Sequence, residues 1–411
     1  MLSGAGLIFC LTYAGVAVGR IPGLRLDRTG IAVLGAIAMV SGGFVTLAQA
    51  VSAIDFPTIL LLYALMIISA QLRLGGFYTW VALRIASLLR RPRLFLLVAM
   101  LTCALLSAVL ANDIVCLAFT PVLIFTLSTA GYPALPFLLG LAVASNIGSA
   151  ATLIGNPQNM LIGQVGRLDF GAFLLWSTFP VVFSLLAGYL LICWRYRGQF
   201  RPLMGPGPGA KHMAHEWPPV NLWQSVKGLL AVLVLIGLFF TSMPRELSAM
   251  AVAGLLLCSR RLASRQILKL VDWQLLTLFC SLFVVIEGVT EAGGPAMMMD
   301  FLTRQGVHLA DLLTLTGVSV LLSNLVSNVP ATMLLVKFLD PNRLAEWYTL
   351  AMSSTFAGNL LLVGSIANLI VVEQAEAMGL RVGFVEHART GVPVTLVSLL
   401  ILLLWIGLVG G

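Results

Sequence analysis

Apolar runs recur along the whole chain, and polar, helix-breaking residues interrupt them at two matching places. The clearest runs are Ile31 to Ala50, Thr58 to Ser69, Leu94 to Ala111, Phe173 to Cys193, Gly228 to Phe240 and Val392 to Val409. About 18–20 apolar residues carry a helix across a hydrocarbon core, so these runs predict membrane-spanning helices, the shorter ones with help from moderately polar flanks. Two stretches break this pattern with Gly and Asn: SNIGSAATLIGNPQNMLI (Ser145 to Ile162) and SSTFAGNLLLVGSIANLIV (Ser353 to Val371). Setting Gly155 on Gly364 places Asn159 on Asn368, both at an offset of 209 (364 − 155 and 368 − 159).

The duplication extends further. IDFPTILLLYALMIISAQLRLGG (Ile54 to Gly76) matches VDWQLLTLFCSLFVVIEGVTEAGG (Val271 to Gly294), with Asp55 and Asp272 opening and a Gly pair closing each. LLSAVLAND (Leu105 to Asp113) matches LLSNLVSNV (Leu321 to Val329), pairing Ser107 with Ser323 and Asn112 with Asn328. Four polar landmarks in the same order predict an internal repeat. The pattern predicts an all-α integral membrane protein with about ten transmembrane helices, two re-entrant hairpins and two broken helices. A first repeat over residues 1–197 would hold a hairpin near 94–130 and a broken helix near 136–163. A cytoplasmic linker over 198–227 would follow, then a second repeat over 228–411 with a hairpin near 311–339 and a broken helix near 345–373. Five crossings per half make the second half enter from the opposite side, an inverted repeat.

Composition agrees with a membrane class. The chain is 59% hydrophobic and 10% charged, against roughly 25% charged in soluble domains, and its mean hydropathy is +1.01. The net charge of +8 does not indicate nucleic acid, because the basic residues follow the positive-inside rule. With the N-terminus outside, only Arg167, Arg245, Arg304, Lys337 and Arg343 fall outside; the rest of the 24 fall on cytoplasmic connections. The location expected is a plasma membrane, the inner one in a bacterium. The first apolar segment lacks a basic n-region and is followed by Arg20, which predicts an uncleaved helix. Cys10, Cys103, Cys116, Cys193, Cys258 and Cys280 show no CxxC spacing and are expected as small reduced core residues. The linker contains RPLMGPGPGA, His212, His215 and Glu216. It is expected to be solvated rather than metal-binding. No P-loop, Gly-x-Ser-x-Gly or zinc-protease pattern is present, so no cofactor and no enzymatic activity are expected.

Four polar breaks are expected to converge at the midplane. They are the hairpin tip Ser107, Asn112 and Asp113; the break Asn146, Gly148, Thr152, Gly155, Asn156, Pro157 and Asn159; the opposite tip Ser323, Asn324 and Asn328; and the second break Asn359, Gly364, Ser365 and Asn368. Gly and Pro there free backbone N–H and C=O groups, which a bilayer tolerates only inside protein or along a polar cavity. Freed N-termini attract anions, and freed carbonyls can hold a cation such as Na⁺ near Asn112 and Asn328. The competing reading is helix packing by small and amide residues. Asp113 is an acid inside an apolar hairpin, and its charge there costs several kcal/mol unless paired or protonated. Proton carrier, Na⁺ ligand and internally bound carboxyl remain open as its role.

The motifs ANDIVCLAFTP and ASNIGSAATLIGNPQNMLIG resemble those of the ion-transporter superfamily of arsenite permeases, D-type Na⁺/H⁺ antiporters and dicarboxylate/citrate transporters, most closely the YbiR-type permeases. The resemblance covers nearly the whole chain. It implies an inverted-repeat fold, often a homodimer, with an elevator-like movement. The dicarboxylate branch carries Ser-Asn-Thr at both tips, whereas Ala111-Asn112-Asp113 and Ser327-Asn328-Val329 stand here. That departure favours proton linkage over Na⁺-coupled dicarboxylate uptake. The expected function is secondary transport of a small inorganic or organic anion, or an oxyanion such as arsenite, with H⁺ (or Na⁺) as coupling ion. Na⁺/H⁺ antiport is the alternative.

Overall fold

The computed structural model describes residues 4–19, 23–201 and 220–409. Arg20, Lys211, His212, His215, Glu216 and most of the Pro/Gly-rich linker lie outside the described residues. Ten α-helices precede the linker: α1 (Gly4–Val18), α2 (Arg28–Ser41), α3 (Leu47–Ala53), α4 (Phe56–Leu74), α5 (Phe77–Ala86), α6 (Pro92–Val109), α7 (Asn112–Thr129), α8 (Leu135–Ser149), α9 (Pro157–Val165) and α10 (Phe170–Arg195). Ten follow it: α11 (Leu222–Phe239), α12 (Arg245–Leu257), α13 (Ser264–Leu268), α14 (Trp273–Glu291), α15 (Gly294–Arg304), α16 (Leu312–Val326), α17 (Asn328–Leu335), α18 (Leu344–Ala357), α19 (Ile366–Ala377) and α20 (Phe384–Val409). Each helix of the first series has its counterpart ten places on. No strand occurs among the described residues.

Local chemistry sets the matching boundaries. Asp55 and Asp272 cap α4 and α14, each accepting a backbone N–H three residues on, from Thr58 at 2.8 Å and Leu275 at 2.9 Å. Gly76 and Gly293 both take φ 74° to start α5 and α15, a left-handed turn open chiefly to glycine. Asn221 caps α11, so this helix begins at Leu222, inside the stretch expected to be linker up to residue 227. Its side chain accepts the N–H of Gln224 at 3.2 Å.

Seven helices among the described residues are long and apolar enough to cross a membrane: α4, α6, α7, α10, α11, α14 and α20. Shorter apolar helices include α1, α2, α8 and α16. Leu396, Leu400, Leu404 and Leu408 form an exposed stripe on α20 at a spacing of one helical turn, the face that lipid covers at least cost. Cysteine burial corrects one expectation: Cys103 and Cys116 are buried, but Cys10 and Cys258 are exposed. They sit on the outer faces of α1 and the end of α12, where a thiol meets the surroundings rather than the core.

Packing divides the helices into two groups. α2 lies against α14, and α4 against α12, each element contacting the other series. The second group holds the helix pairs and interrupted helices: α6 packs on α8, α16 on α18, α7 on α19, α9 on α17, and α10 on α20. Exchange of partners between the two series is the contact pattern of a twofold-like relation.

Candidate functional site

Two helix pairs turn at their tips inside the second group. α6 and α7 are joined through Leu110 and Ala111, while α16 and α17 are joined through Ser327 alone. Asn112 and Asn328 are therefore both the first residues of returning helices. The first tip is tied to the break beside it. Asn112 N donates to Gly155 O at 3.1 Å, Ser107 Oγ to Ser145 Oγ at 3.3 Å, and Ser145 Oγ to Asn112 O at 3.4 Å. Thr152 Oγ1 closes the loop by donating to Ala108 O.

The interruption between α8 and α9 runs from Ala150 to Asn156. Pro157 at the helix start and Asn156 as its cap fix the restart; Asn156 Oδ1 accepts Asn159 N–H at 2.8 Å. The interruption between α18 and α19 runs from Gly358 to Ser365, with Gly364 ending a single 3₁₀ turn. Gly148 packs α8 against the Ala104 backbone of α6.

Amide and hydroxyl side chains from the two series interlock across these breaks. Asn146 Nδ2 donates to Asn359 Oδ1 at 2.9 Å and Asn368 Oδ1 at 3.0 Å, while Asn146 Oδ1 accepts from Ser365 Oγ at 2.8 Å. Thr355, which stands 209 residues after Asn146 (355 − 146), makes the reciprocal set. Its Oγ1 accepts from Asn156 Nδ2 at 3.2 Å and donates to Asn159 Oδ1 at 3.2 Å. Ser365 and Asn368 also stand 209 after Asn156 and Asn159 (365 − 156 and 368 − 159). Each series thus inserts one polar side chain into the broken helix of the other. Asn159 Nδ2 and Asn368 Nδ2 then hold freed carbonyls, Thr152 O at 3.0 Å and Gly358 O at 2.7 Å. In such a setting an unpaired amide would cost about 1–3 kcal/mol, so the network secures the breaks.

The sequence motifs did not point to three residues of this network. Thr355 could have been found from its offset to Asn146. Gln158 reaches Thr355 Oγ1 at 3.4 Å. His387, on the first turn of α20, is only 2% exposed. Its Nε2 lies 3.2 Å from Asn359 O and 3.5 Å from Asn368 Nδ2. Gly391, one turn on, permits that approach, since a Cβ there would overlap Asn359 O.

A small cavity lies where the tips and breaks meet, lined by Asn112, Asp113, Pro157, Gln158, Ser327, Asn328, Val329, Ser365 and Ile366. Of the sequence candidates, Asn112, Asp113, Pro157, Asn328 and Ser365 face it. Asn146, Asn156, Asn159, Asn359 and Asn368 stand behind it in the network, and Ser107, Gly148, Thr152, Gly155, Ser323, Asn324 and Gly364 lie in the supporting helices and turns. Asn328 is held by its amide, whose nitrogen, turned to donate, reaches Gly364 O at 2.9 Å and Ser354 O at 3.2 Å. Asn112 Oδ1 is buried with no hydrogen-bond partner. A second cavity of about 380 Å³ shares Ser327, Val329 and Ile366 with the first. It widens outward between Asp27 and Arg28 at the start of α2, Asp272 at the start of α14, and Leu369 and Glu373 on α19. No His/Cys/Asp/Glu cluster fit for a metal ion occurs among the described residues.

Comparison with known proteins agrees with this architecture. Residues 13–341 match the family model described as "Citrate transporter". The chain belongs to this citrate transporter family. It is 30% identical to a 46 kDa membrane protein of Mycobacterium leprae, covering 95% of each chain. It is 27% identical to the silicon efflux transporter LSI3 of Oryza sativa, covering 92% of each. The inner membrane protein YbiR of Escherichia coli is 30% identical over 79% of this chain and 81% of its own. In fold, the chain is similar to the YdaH transporter of Alcanivorax borkumensis, with TM-score 0.56, 16% identity and coverage of 98% and 97%. The protein is an integral membrane protein of the transporter class, all-α in its described residues.

Proposed function

We propose that the protein is a secondary active transporter of a small inorganic or organic anion or oxyanion, coupled to protons. One observation carries this reading. The residues lining the small cavity are the first residues of α7, α9, α17 and α19 together with the caps of the last two, Ser327 and Ser365. Four helix N-termini turn their positive dipole ends toward one point, an arrangement that favours an anion. Asp113, in the first turn of α7, serves as the proton carrier; protonated, it leaves the cavity positive enough for the anion, and ionised it repels it. Asn112 and Asn328 flank it as polar ligands.

Alternating access follows from the two packing groups. The tips and breaks move together as an elevator against a scaffold containing α2, α4, α12 and α14. The 380 Å³ cavity opens toward the ends of α2 and α14 that adjoin Arg25, Arg260, Arg261 and Arg265. By the positive-inside rule that end is cytoplasmic, the N-terminus is outside, and the conformation is inward-open. The domain plan of two inverted repeats joined by a cytoplasmic linker is part of this proposal, as is a homodimer whose protomers meet through exposed apolar scaffold faces.

Na⁺/H⁺ antiport is the second reading. The wide cavity presents three carboxylates, Asp27, Asp272 and Glu373, and one guanidinium, Arg28, a lining that draws cations. The decisive experiment follows proton movement in proteoliposomes carrying an internal pH dye. Citrate, succinate, phosphate, sulfate, arsenite and Na⁺ are added singly to wild type and to Asp113→Asn. An anion- or oxyanion-dependent signal that Asp113→Asn loses is the expected result. A signal with Na⁺ alone would replace the first reading by the second.

A further inference from the structure

Four arginines surround a cavity remote from the transport site. Arg91 and Arg93 at the start of α6 and Arg197 and Arg201 after α10 line about 380 Å³, together with Leu94 and Phe200. No carboxylate among the described residues lies within ion-pair distance of any of the four; the ion pairs found there are Lys337–Glu287 and Arg343–Glu346. Four guanidinium groups around one space, without an acidic partner among the described residues, repel one another, and an anion placed among them removes that repulsion. The guanidinium is also the side chain best matched to a phosphate, which it grips with two parallel N–H donors.

The position selects the source of the anion. The cavity sits where α6 begins and α10 ends, two helices long and apolar enough to cross a membrane, and so at the level of lipid headgroups. Its wall is part apolar: Leu94 is exposed beside the arginines. Phe200 is fixed by Arg93, whose guanidinium lies 5.9 Å from the ring centroid, and by Phe137 of α8 at 5.7 Å. A headgroup there would meet charge, and its glycerol and upper acyl carbons would meet Leu94 and Phe200. Basic pockets between membrane helices on the cytoplasmic side take anionic headgroups by the same chemistry.

We propose that this cavity binds the phosphate group of an anionic phospholipid of the surrounding leaflet. Through Phe200 and Phe137 the lipid would brace α8, the helix that leads into the first break.

The test uses the full-length protein in nanodiscs, with binding of labelled phosphatidylglycerol measured against phosphatidylcholine. Each arginine near a membrane surface contributes roughly a five-fold gain in anionic-lipid affinity, so Arg91→Gln/Arg93→Gln and Arg197→Gln/Arg201→Gln should each lose about 25-fold. Arg84→Gln is the control, since Arg84 lies over the Trp80 ring and does not line the cavity. Wild-type preference for phosphatidylglycerol, lost in both double variants and kept in the control, is the expected result. Equal binding of both lipids by wild type, or equal losses in the control, would overturn the site. Millimolar inorganic phosphate that displaces all the bound phosphatidylglycerol would assign the cavity to a soluble phosphate and overturn the lipid source.

Discussion

The first tip and break, α6 to α9, and the second, α16 to α19, carry the same motif and stand in different states. On the first side α9 packs directly against α4, and the tip is stitched to the break by Asn112, Ser107, Ser145 and Thr152. On the second side α19 faces α14 across the 380 Å³ cavity. There the tip is tied to its own break by Asn324 Nδ2, which donates to Ala357 O at 3.1 Å, and by the Asn328 amide, which donates to Gly364 O at 2.9 Å. Both tip helices touch the scaffold, α7 on α4 and α17 on α14, but of the two restarted helices α9 packs on α4 while α19 is set apart from α14 by the cavity. In the proposed cycle the central network keeps the tips and breaks as one body, so that closing one face and opening the other are a single displacement. Asymmetry between like halves is how a repeated sequence gives one-sided access.

Cysteine labelling gives the largest expected contrast between the sides. Leu369 lines the open cavity, and its counterpart Met160 (369 − 209) is fully buried. In a background freed of native cysteines, Leu369→Cys should react with an impermeant maleimide about 100-fold faster than Met160→Cys, if the closed side opens in roughly 1% of molecules. Labelling of Leu369→Cys should come from the cytoplasmic face. Comparable rates at the two positions would show that both sides breathe equally and remove the one-sided reading.

The two glycines that first revealed the repeat should also differ in what they tolerate. A Cβ at Gly155 would strike the backbone carbonyl oxygens of Ser149 and Ser107, which cannot withdraw without moving the break. At Gly364 it would meet Asn324 Oδ1 at 2.7 Å, a side-chain end rather than backbone, which can shift at some expense to the bonds its amide donates to Val320 O and Ala357 O. Gly155→Ala is expected to destabilise by about 1–3 kcal/mol, and Gly364→Ala by under about 1 kcal/mol. Thermal unfolding in detergent measures both. Equal losses would mean the second break is as tightly built as the first.

Much of this architecture could be read from the chain because its causes are local. Asp55 and Asp272 announce helix starts, Gly76 and Gly293 announce left-handed turns, and the Gly/Asn spacing announces two breaks. The roles of the break residues were less legible. Spacing cannot tell an amide that lines a cavity from one that holds a neighbouring carbonyl, as Asn159 and Asn368 do, or one that bonds side chains of the other series, as Asn146 does. His387 carried no signal at all: it is a lone histidine on α20, and only tertiary packing at Gly391 brings it to Asn359. Thr355 lay hidden because Asn and Thr are different letters performing matching contacts. Nor does the difference between the two sides show in the sequence, since both breaks carry the same Gly and Asn landmarks.

Ser327 offers the smallest effect and the sharpest test of that displacement. Its backbone sits at φ 78°, ψ 156°, whereas Ala111 at the equivalent tip position has an ordinary φ −56°, ψ 118°. The first region is open essentially to glycine alone and costs a side-chain-bearing residue about 1–3 kcal/mol. Ser327 also lines both cavities, so the strain lies on the side of the wide cavity, at the tip that the proposed cycle would rearrange. Ser327→Gly should therefore stabilise this conformation by about 1 kcal/mol, while Ala111→Gly should destabilise by roughly 0.5–1 kcal/mol through lost chain entropy. If the strain drives closure, Ser327→Gly will also slow transport, because relief favours the open side over the closed one. A variant that is more stable and transports at the wild-type rate would separate the strained turn from the transport cycle.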